Sequence, residues 1–255
     1  MVDIHCHILP ALDDGAVELS VSREMAEMAV LDGITHIVAT PHCSYRFEFD
    51  PVVNRLKRDE LQREISESLR ISLGCDFHLS YENLEALRVD PARFTINGGD
   101  YLLVEFADTN IPPNMEQIFI DLIGRRLAPI ITHPERNPIL SGDLEQIRRW
   151  IMLGCRVQIT AGSYLGRFGK RAQESAYQML RHQMVHFIAS DAHNTSSRPP
   201  LMSEAREAIA DDQGAEAAAA LSETNPRAAV ASKPLPWVPE PQPVASPRRW
   251  FSLRR

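Results

Sequence analysis

The four cysteines of this chain are few, and none is arranged for the chemistry that cysteine usually signals. Cys6, Cys43, Cys75 and Cys155 stand singly, with no CxxC pair and no regular spacing. That excludes a zinc knuckle or a disulfide framework and leaves buried, reduced thiols. None is followed six positions later by arginine, so no single loop joins a thiolate to a phosphate clamp, and a cysteine-nucleophile phosphatase is excluded. Lysine is scarce, occurring only at Lys57, Lys170 and Lys233. No apolar run is long enough to cross a bilayer, which excludes an integral membrane protein. The amino terminus also lacks the basic and apolar regions of a secretory signal, because His5 and His7 come almost at once; a cytoplasmic location is expected. The net charge of −7 speaks against a nucleic-acid partner while leaving room for a local phosphate site.

What is present fits one soluble globular domain: 255 residues, 44% hydrophobic and 24% charged. Short apolar stretches at 2–8, 34–40, 71–79, 101–106, 128–132, 156–160 and 185–189 read as strands. Amphipathic stretches at 17–31, 53–69, 115–125, 144–152 and 169–182 read as helices. This alternation predicts a parallel sheet covered by helices, with a (β/α)7 barrel favoured at this length and a doubly wound open sheet as the alternative. Seven of the 18 prolines fall at or beyond Pro226, which predicts a domain over 1–225 and a Pro-rich, basic, disordered tail over 226–255.

His5 and His7 lie two apart on a predicted strand, so both imidazoles share one face while Cys6 takes the other. Asp191 and His193 repeat this spacing after a later strand. His42 follows Thr40-Pro41, Asp76 lies within the third strand, Glu105 ends the next, and His133 follows the one after. A lone HxH is a weak signal, and each strand-end acid or imidazole alone more often satisfies a turn. Their recurrence at nearly every strand end points to a polynuclear metal site, since those ends are where a β/α barrel gathers its chemistry. Imidazole and carboxylate without thiolate suit zinc, manganese or iron and do not choose among them. Arg136 and Arg198 stand beside this set, each offering a planar fork of donors for phosphate oxygens.

The match extends to ordered motifs: Asp3-Ile4-His5-Cys6-His7-Ile8-Leu9-Pro10, Asp13-Asp14-Gly15, Thr40-Pro41-His42, Val104-Glu105-Phe106 and Thr132-His133-Pro134-Glu135-Arg136-Asn137. Further along come Gln158-Ile159-Thr160-Ala161-Gly162-Ser163, Phe168-Gly169-Lys170 and Ser190-Asp191-Ala192-His193-Asn194. In these motifs the chain resembles the polymerase-and-histidinol-phosphatase (PHP) superfamily, and within it the bacterial tyrosine phosphatases of capsule and exopolysaccharide synthesis, collinearly to about Pro226. The resemblance implies a distorted (β/α)7 barrel with two to three divalent ions, manganese before iron or zinc. It assigns His5, His7, Asp76 and Asp191 to a first ion; Asp76, Glu105 and His133 to a second; and Asp14, His42 and His193 to a third. Arg136 and Arg198 match its phosphate-binding arginines. The family usually has glutamate where this chain has Asp76, one methylene shorter; Glu82 is a nearby acid outside the implied metal set.

The reaction so implied is hydrolysis of phosphotyrosine in a protein, expected to be a membrane-bound tyrosine kinase of polysaccharide synthesis, by metal-activated water. The rivals are a PHP phosphoesterase for a small phosphate such as histidinol phosphate, a non-catalytic PHP-fold regulatory module, and a dinuclear amidohydrolase, many of which need a lysine on a strand. A homo-oligomer is compatible with the sequence. Trp250, Phe251 and Leu253 among Arg248, Arg249, Arg254 and Arg255 could give the tail peripheral contact with an anionic membrane. Tyr45, Arg46, Phe47 and Phe49 could line a phosphotyrosine pocket.

Overall fold

Burial along nearly the whole length of most strands is the mark of a parallel sheet sheltered by helices. The computed structural model describes residues 1–244. Its strands are β1 (Val2–Cys6), β2 (His36–Ala39), β3 (His42–Cys43), β4 (Arg70–Leu73), β5 (Asp76–His78), β6 (Tyr101–Glu105), β7 (Ala128–Thr132), β8 (Arg156–Thr160) and β9 (Phe187–Ala189). Between and after them run α1 (Leu19–Leu31), α2 (Pro51–Glu64), α3 (Tyr81–Val89), α4 (Met115–Gly124), α5 (Leu144–Leu153), α6 (Ala161–Tyr164) and α7 (Lys170–Arg181). Three further helices, α8 (Ser203–Gln213), α9 (Ala215–Ala219) and α10 (Asn225–Val230), complete the chain order. Every strand pairing is parallel, in two sheets ordered β1-β2-β4 and β3-β5-β6-β7-β8-β9.

The second and third expected strands each divide in two, and local chemistry explains the breaks. Pro41 has no N–H to give to a ladder. Thr40 instead turns to β1: its N–H donates to the Cys6 carbonyl (3.0 Å) and its Oγ1 accepts from the Cys6 N–H (3.1 Å). At Gly74, a Cβ would lie 2.9 Å from Val38 Cγ1, so glycine allows the close approach by which its N–H reaches the Ala39 carbonyl (2.9 Å). Beyond the breaks, β3 and β5 join the second sheet. At its other end β9 leads into Asp191, whose N–H donates to the His5 carbonyl, and Cys6 bridges to Ala192. The hydrogen-bonded strands thus form two parallel sheets rather than one closed ladder.

Helix α2 starts and stops earlier than its apolar spacing predicts. Pro51 occupies its first turn, and Asp50 caps it by accepting from Val52 N–H (2.8 Å) and Val53 N–H (3.3 Å). It ends at Glu64 before the Ser66–Ser68 turn. No helix among the described residues is long and apolar enough to cross a membrane.

The segment after Pro226, expected to be disordered, packs against the domain as far as it is described. Asn225 organises it: Nδ2 donates to the carbonyls of His186 (2.9 Å) and Trp237 (2.7 Å), while Oδ1 accepts from Trp237 N–H (3.1 Å). Tyr101 Oη donates to the Lys233 carbonyl (2.7 Å), and Ala229, Val230 and Leu235 cover a cluster that includes Val2, Tyr101 and Phe187, the first residues of β1, β6 and β9. A proline-rich composition predicted a missing core, yet these contacts supply one from the body of the domain. The basic and aromatic residues at 248–255 lie outside the described residues.

His186 is fully buried just before β9, where its Nδ1 accepts from Val157 N–H (3.2 Å). Burial, helped by the Arg156 charge, pushes its pKa down to about 3. The folded protein therefore binds fewer protons at this residue than the unfolded chain below the ordinary histidine pKa of about 6.5, and stability falls as the pH drops through that window. His186 is expected to cost about 2 kcal/mol between neutrality and pH ~5. Thermal melts of His186→Asn, whose Oδ1 can still accept from Val157, should lose that part of the acid slope. An unchanged slope would refute it.

Candidate metal centre and active site

The site begins with the alternation of β1. His5 and His7 share a face, and their Nε2 atoms lie 3.2 Å apart. Each ring is fixed from behind: His5 Nδ1 lies 2.9 Å from Gln158 Oε1, and His7 Nδ1 lies 2.7 Å from Asp13 Oδ2. Since both partners accept, Nδ1 carries the proton on each neutral ring and the two Nε2 lone pairs face the same space. Two lone pairs at that distance repel unless a cation or proton stands between them.

Asp13 ties this face to the next strand. The oxygen that accepts from His7 also accepts from His42 N–H (3.0 Å), while its Oδ1 accepts from Gly15 N–H (2.9 Å). The loop folds so tightly that a Cβ on Gly15 would lie 2.2 Å from the His7 carbonyl oxygen. Gly15→Ala should therefore displace both Asp13 and Asp14 and weaken metal binding at least tenfold, as read by titration of the metal-stripped protein. Native affinity in a folded Gly15→Ala variant would show that the loop does not hold a ligand.

The nine residues singled out as metal ligands form one connected network. His5 Nε2 lies 3.5 Å from Asp76 Oδ2 and 3.5 Å from Asp191 Oδ1, and His7 Nε2 lies 3.5 Å from the same Asp191 oxygen. Asp14 Oδ1 lies 3.3 Å from His42 Nε2 and 3.4 Å from His193 Nε2. His42 Nδ1 lies 3.1 Å from Asp76 Oδ2 and 3.6 Å from Glu105 Oε2, and His133 Nε2 lies 3.7 Å from Glu105 Oε1. Three groups bring one donor atom per residue within 4.8 Å of each other: His7, Asp14, His42 and His193; His5, His7 and Asp76; and His42, Asp76 and Glu105. The grouping differs from the expected one in two respects. His42 lies between two groups, one ring nitrogen toward each, and His7 also joins the Asp14 group.

Asp191 joins the network to the arginines. Its Oδ1 faces the imidazoles, whereas Oδ2 accepts from Arg136 Nη1 and from Arg198 Nη2, the latter at 2.7 Å. The Arg136 guanidinium lies over the Phe168 ring, 4.4 Å from its centroid, and Arg198 lies at 5.8 Å. Asp191 (φ 50°) and His133 (φ 32°) both sit in the left-handed region that side chains rarely adopt. This strain is held where the chain leaves β9 and β7, and it aims both side chains into the site.

The charges oppose one another strongly. Asp76 is fully buried, yet neither of its oxygens has a hydrogen-bond partner among the described residues, because the nearby ring nitrogens lie outside bonding geometry. Burial opposes charge on His5, but Asp76 and Asp191 outweigh it and raise its pKa to about 9. His42 rises to about 11 against burial, through Asp14 and Asp76. Burial and the His7 charge instead lower His193 to about 4. Burial, with Arg136, holds His133 well below its ordinary value. Protons on His5 and His42 thus occupy the electrostatic place of cations. An orphaned buried carboxylate among imidazole lone pairs fits divalent ions, which would take the site as those protons leave.

A cavity of about 500 Å³ opens over this network, lined on one side by Ser44–Phe47 and on the other by Phe106–Thr109. Phe47 stacks on His42 (5.6 Å, 13°), and Tyr45 is 92% exposed. Glu82 lies exposed in the first turn of α3, away from the network, and none of the three lysines lies on a strand. Roles for Asp13, Gln158 and Phe168 were not legible beforehand, although their motifs were. Gln158 carried the clearest signal, an amide between Val157 and Ile159 in the middle of a buried strand. His78, which pairs in register with Glu105 and lies 3.5 Å from its Oε2, gave none.

A parallel α/β fold with imidazoles and carboxylates gathered at its strand ends, and two arginines beside them, defines a metallohydrolase-like architecture. The chain belongs to the capsular polysaccharide synthesis family CpsB/CapC, whose profile matches residues 1–231. It is 34% identical over 227 residues to the tyrosine-protein phosphatase YwqE of Bacillus subtilis, covering 88% of this chain and 89% of the relative. It is 30% identical over 236 residues to the tyrosine-protein phosphatase CpsB of Streptococcus pneumoniae, covering 89% and 97%. A crystal structure from work on those two metal-dependent tyrosine phosphatases superposes with a TM-score of 0.90 at 33% identity, covering 96% of this chain and all of the other. The lactonase Lmo2620 of Listeria monocytogenes, at 13% identity and a TM-score of 0.58 over 91% of this chain and 95% of its own, shares the fold alone.

Proposed function

We propose that this protein is a metal-dependent protein-tyrosine phosphatase acting in capsular or exopolysaccharide synthesis, on a phosphotyrosine-bearing, membrane-bound tyrosine kinase in the cytoplasm. The observation that carries the reading is the adjacency of Asp76, a buried carboxylate without a hydrogen-bond partner, to a ring of imidazoles and to two arginines that share one oxygen of Asp191. The nine network residues would hold two to three divalent ions, manganese first. We read the strands as a distorted seven-stranded barrel, counting β2 with β3 and β4 with β5. The catalytic unit extends to 244.

Bound divalent ions would supply Lewis acidity toward phosphoryl oxygens and activation of water near neutral pH. The protein's own part is positioning and charge. Gln158 and Asp13 hold His5 and His7 in the tautomer that turns Nε2 inward. Arg136 and Arg198, braced by Phe168, offer donors to the non-bridging phosphoryl oxygens and stabilise charge as it develops there. Phe47 and Tyr45 flank the opening where a phenyl ring would enter. A tyrosine leaving group, of pKa about 10, needs less protonation than an aliphatic alkoxide, so no strong general acid is required.

The second reading, a small-phosphate esterase, draws on the same ligands. Turnover of a phosphotyrosine peptide and of histidinol phosphate, each with added manganese and again after chelation, separates the two. The expected result is peptide turnover that disappears with the metal and exceeds histidinol phosphate turnover at least a hundredfold. The reverse preference would move the reading to the small phosphate. No turnover of either, in protein that takes up no metal, would leave a regulatory module.

A further inference from the structure

Behind the aromatic loop of the site lies a second cleft of about 410 Å³, between the start of α2 and the helical turns at 91–98. Arg55, Arg58 and Arg93 converge on it, with Asp90 the one acid in its wall. Arg58 is paired with Asp59 (2.6 Å). Arg55 and Arg93 have no carboxylate partner among the described residues, and Arg93 donates instead to the Phe49 carbonyl (2.7 Å). Asn54 and Thr95, 3% and 2% exposed, also line the cleft, and Asn54 Nδ2 and Thr95 Oγ1 have no hydrogen-bond partner. An amide nitrogen can only donate, so the partner missing at Asn54 is an acceptor. Beside three guanidiniums, that acceptor is best an oxyanion, which forms charge-assisted bonds with arginine.

We propose that this cleft binds a phosphoryl oxyanion, free or as the end of a phosphomonoester, and that its occupancy is linked to the loop flanking the active site. The link runs through Phe49. Its carbonyl is held by Arg93 and its ring stacks on Phe94 (5.6 Å, 28°), while residues 44–47 of the same loop line the catalytic cavity. An anion in the cleft competes with the Phe49 carbonyl for the donors of Arg93. The binding claim draws on none of the catalytic residues and stands apart from the proposed reaction.

The test is calorimetric titration of the metal-loaded protein with inorganic phosphate and, separately, with phenylphosphonate, which resembles a monoester but resists hydrolysis. Two phosphate sites are expected. Arg55→Glu, at an exposed and unpaired position, should weaken one at least tenfold and leave the other, together with turnover in the absence of phosphate, unchanged. Arg198→Ala should weaken only the other. Asn54→Leu, which removes the orphaned donor, should weaken the same site as Arg55→Glu. Phenylphosphonate in the second site would assign it to monoester ends, and its exclusion would assign it to free phosphate. A single phosphate site, or two that are both indifferent to Arg55→Glu and Asn54→Leu, overturns the binding claim. A KM for the peptide that does not respond to filling of the second site overturns the link.

Discussion

Asp191→Asn is expected to lose bound metal and to reduce turnover of a phosphotyrosine peptide by at least 10³-fold, about 4 kcal/mol of transition-state stabilisation. The size follows from what each carboxylate oxygen does. Oδ1 lies 3.5 Å from His5 Nε2, 3.5 Å from His7 Nε2 and 3.7 Å from His193 Nδ1, whereas Oδ2 accepts from Arg136 and Arg198. An asparagine must turn an NH₂ toward one of these groups. Toward the guanidiniums it sets donor against donor; toward the imidazoles it removes the anionic oxygen a cation would need. The buried position, 1% exposed, offers no water to relieve either choice. Elemental analysis and peptide turnover on one folded sample decide it. Full metal content with turnover within tenfold of the parent would remove Asp191 from the metal centre.

Much of this centre was legible because the strand period is two. His5 with His7, and Asp191 with His193, announce a shared face before any coordinates exist. The alternation of short apolar strands and amphipathic helices likewise gave the parallel α/β layout. What escaped depends on distance in three dimensions. Asp13 accepts from His7, Gly15 and His42 at once, and no spacing in a single chain states that His42 arrives there. The breaks at Thr40–Pro41 and Gly74 arise from side chains on neighbouring strands, so the apolar runs through them read as continuous. The segment after Pro226 misled for a related reason. Composition reports what a stretch can bury by itself, whereas Asn225, Trp237 and Leu235 use surface supplied by the rest of the domain.

Arg198→Ala is expected to separate phosphate binding from metal binding. The residue follows the Asp191–His193 pair on a tight loop, where Asn194 Oδ1 accepts from its N–H (3.0 Å) and its Nη2 reaches Asp191 Oδ2 (2.7 Å). Arg136 still donates to that oxygen after the substitution, so the carboxylate stays neutralised and the metal should be retained. What disappears is one fork of donors toward the phosphoryl group. Its loss should lower kcat/KM for the peptide by roughly 10²–10³-fold, the scale of removing one oxyanion donor. Lysine should restore only part of this, because a single ammonium cannot span two oxygens. Adding Arg136→Ala should cost less than the product of the two single losses, since both guanidiniums share one carboxylate oxygen and one aromatic ring. If Arg198→Ala empties the metal centre, or if the two losses multiply cleanly, the arginines act through the ligands or independently, and a joint phosphate clamp is wrong.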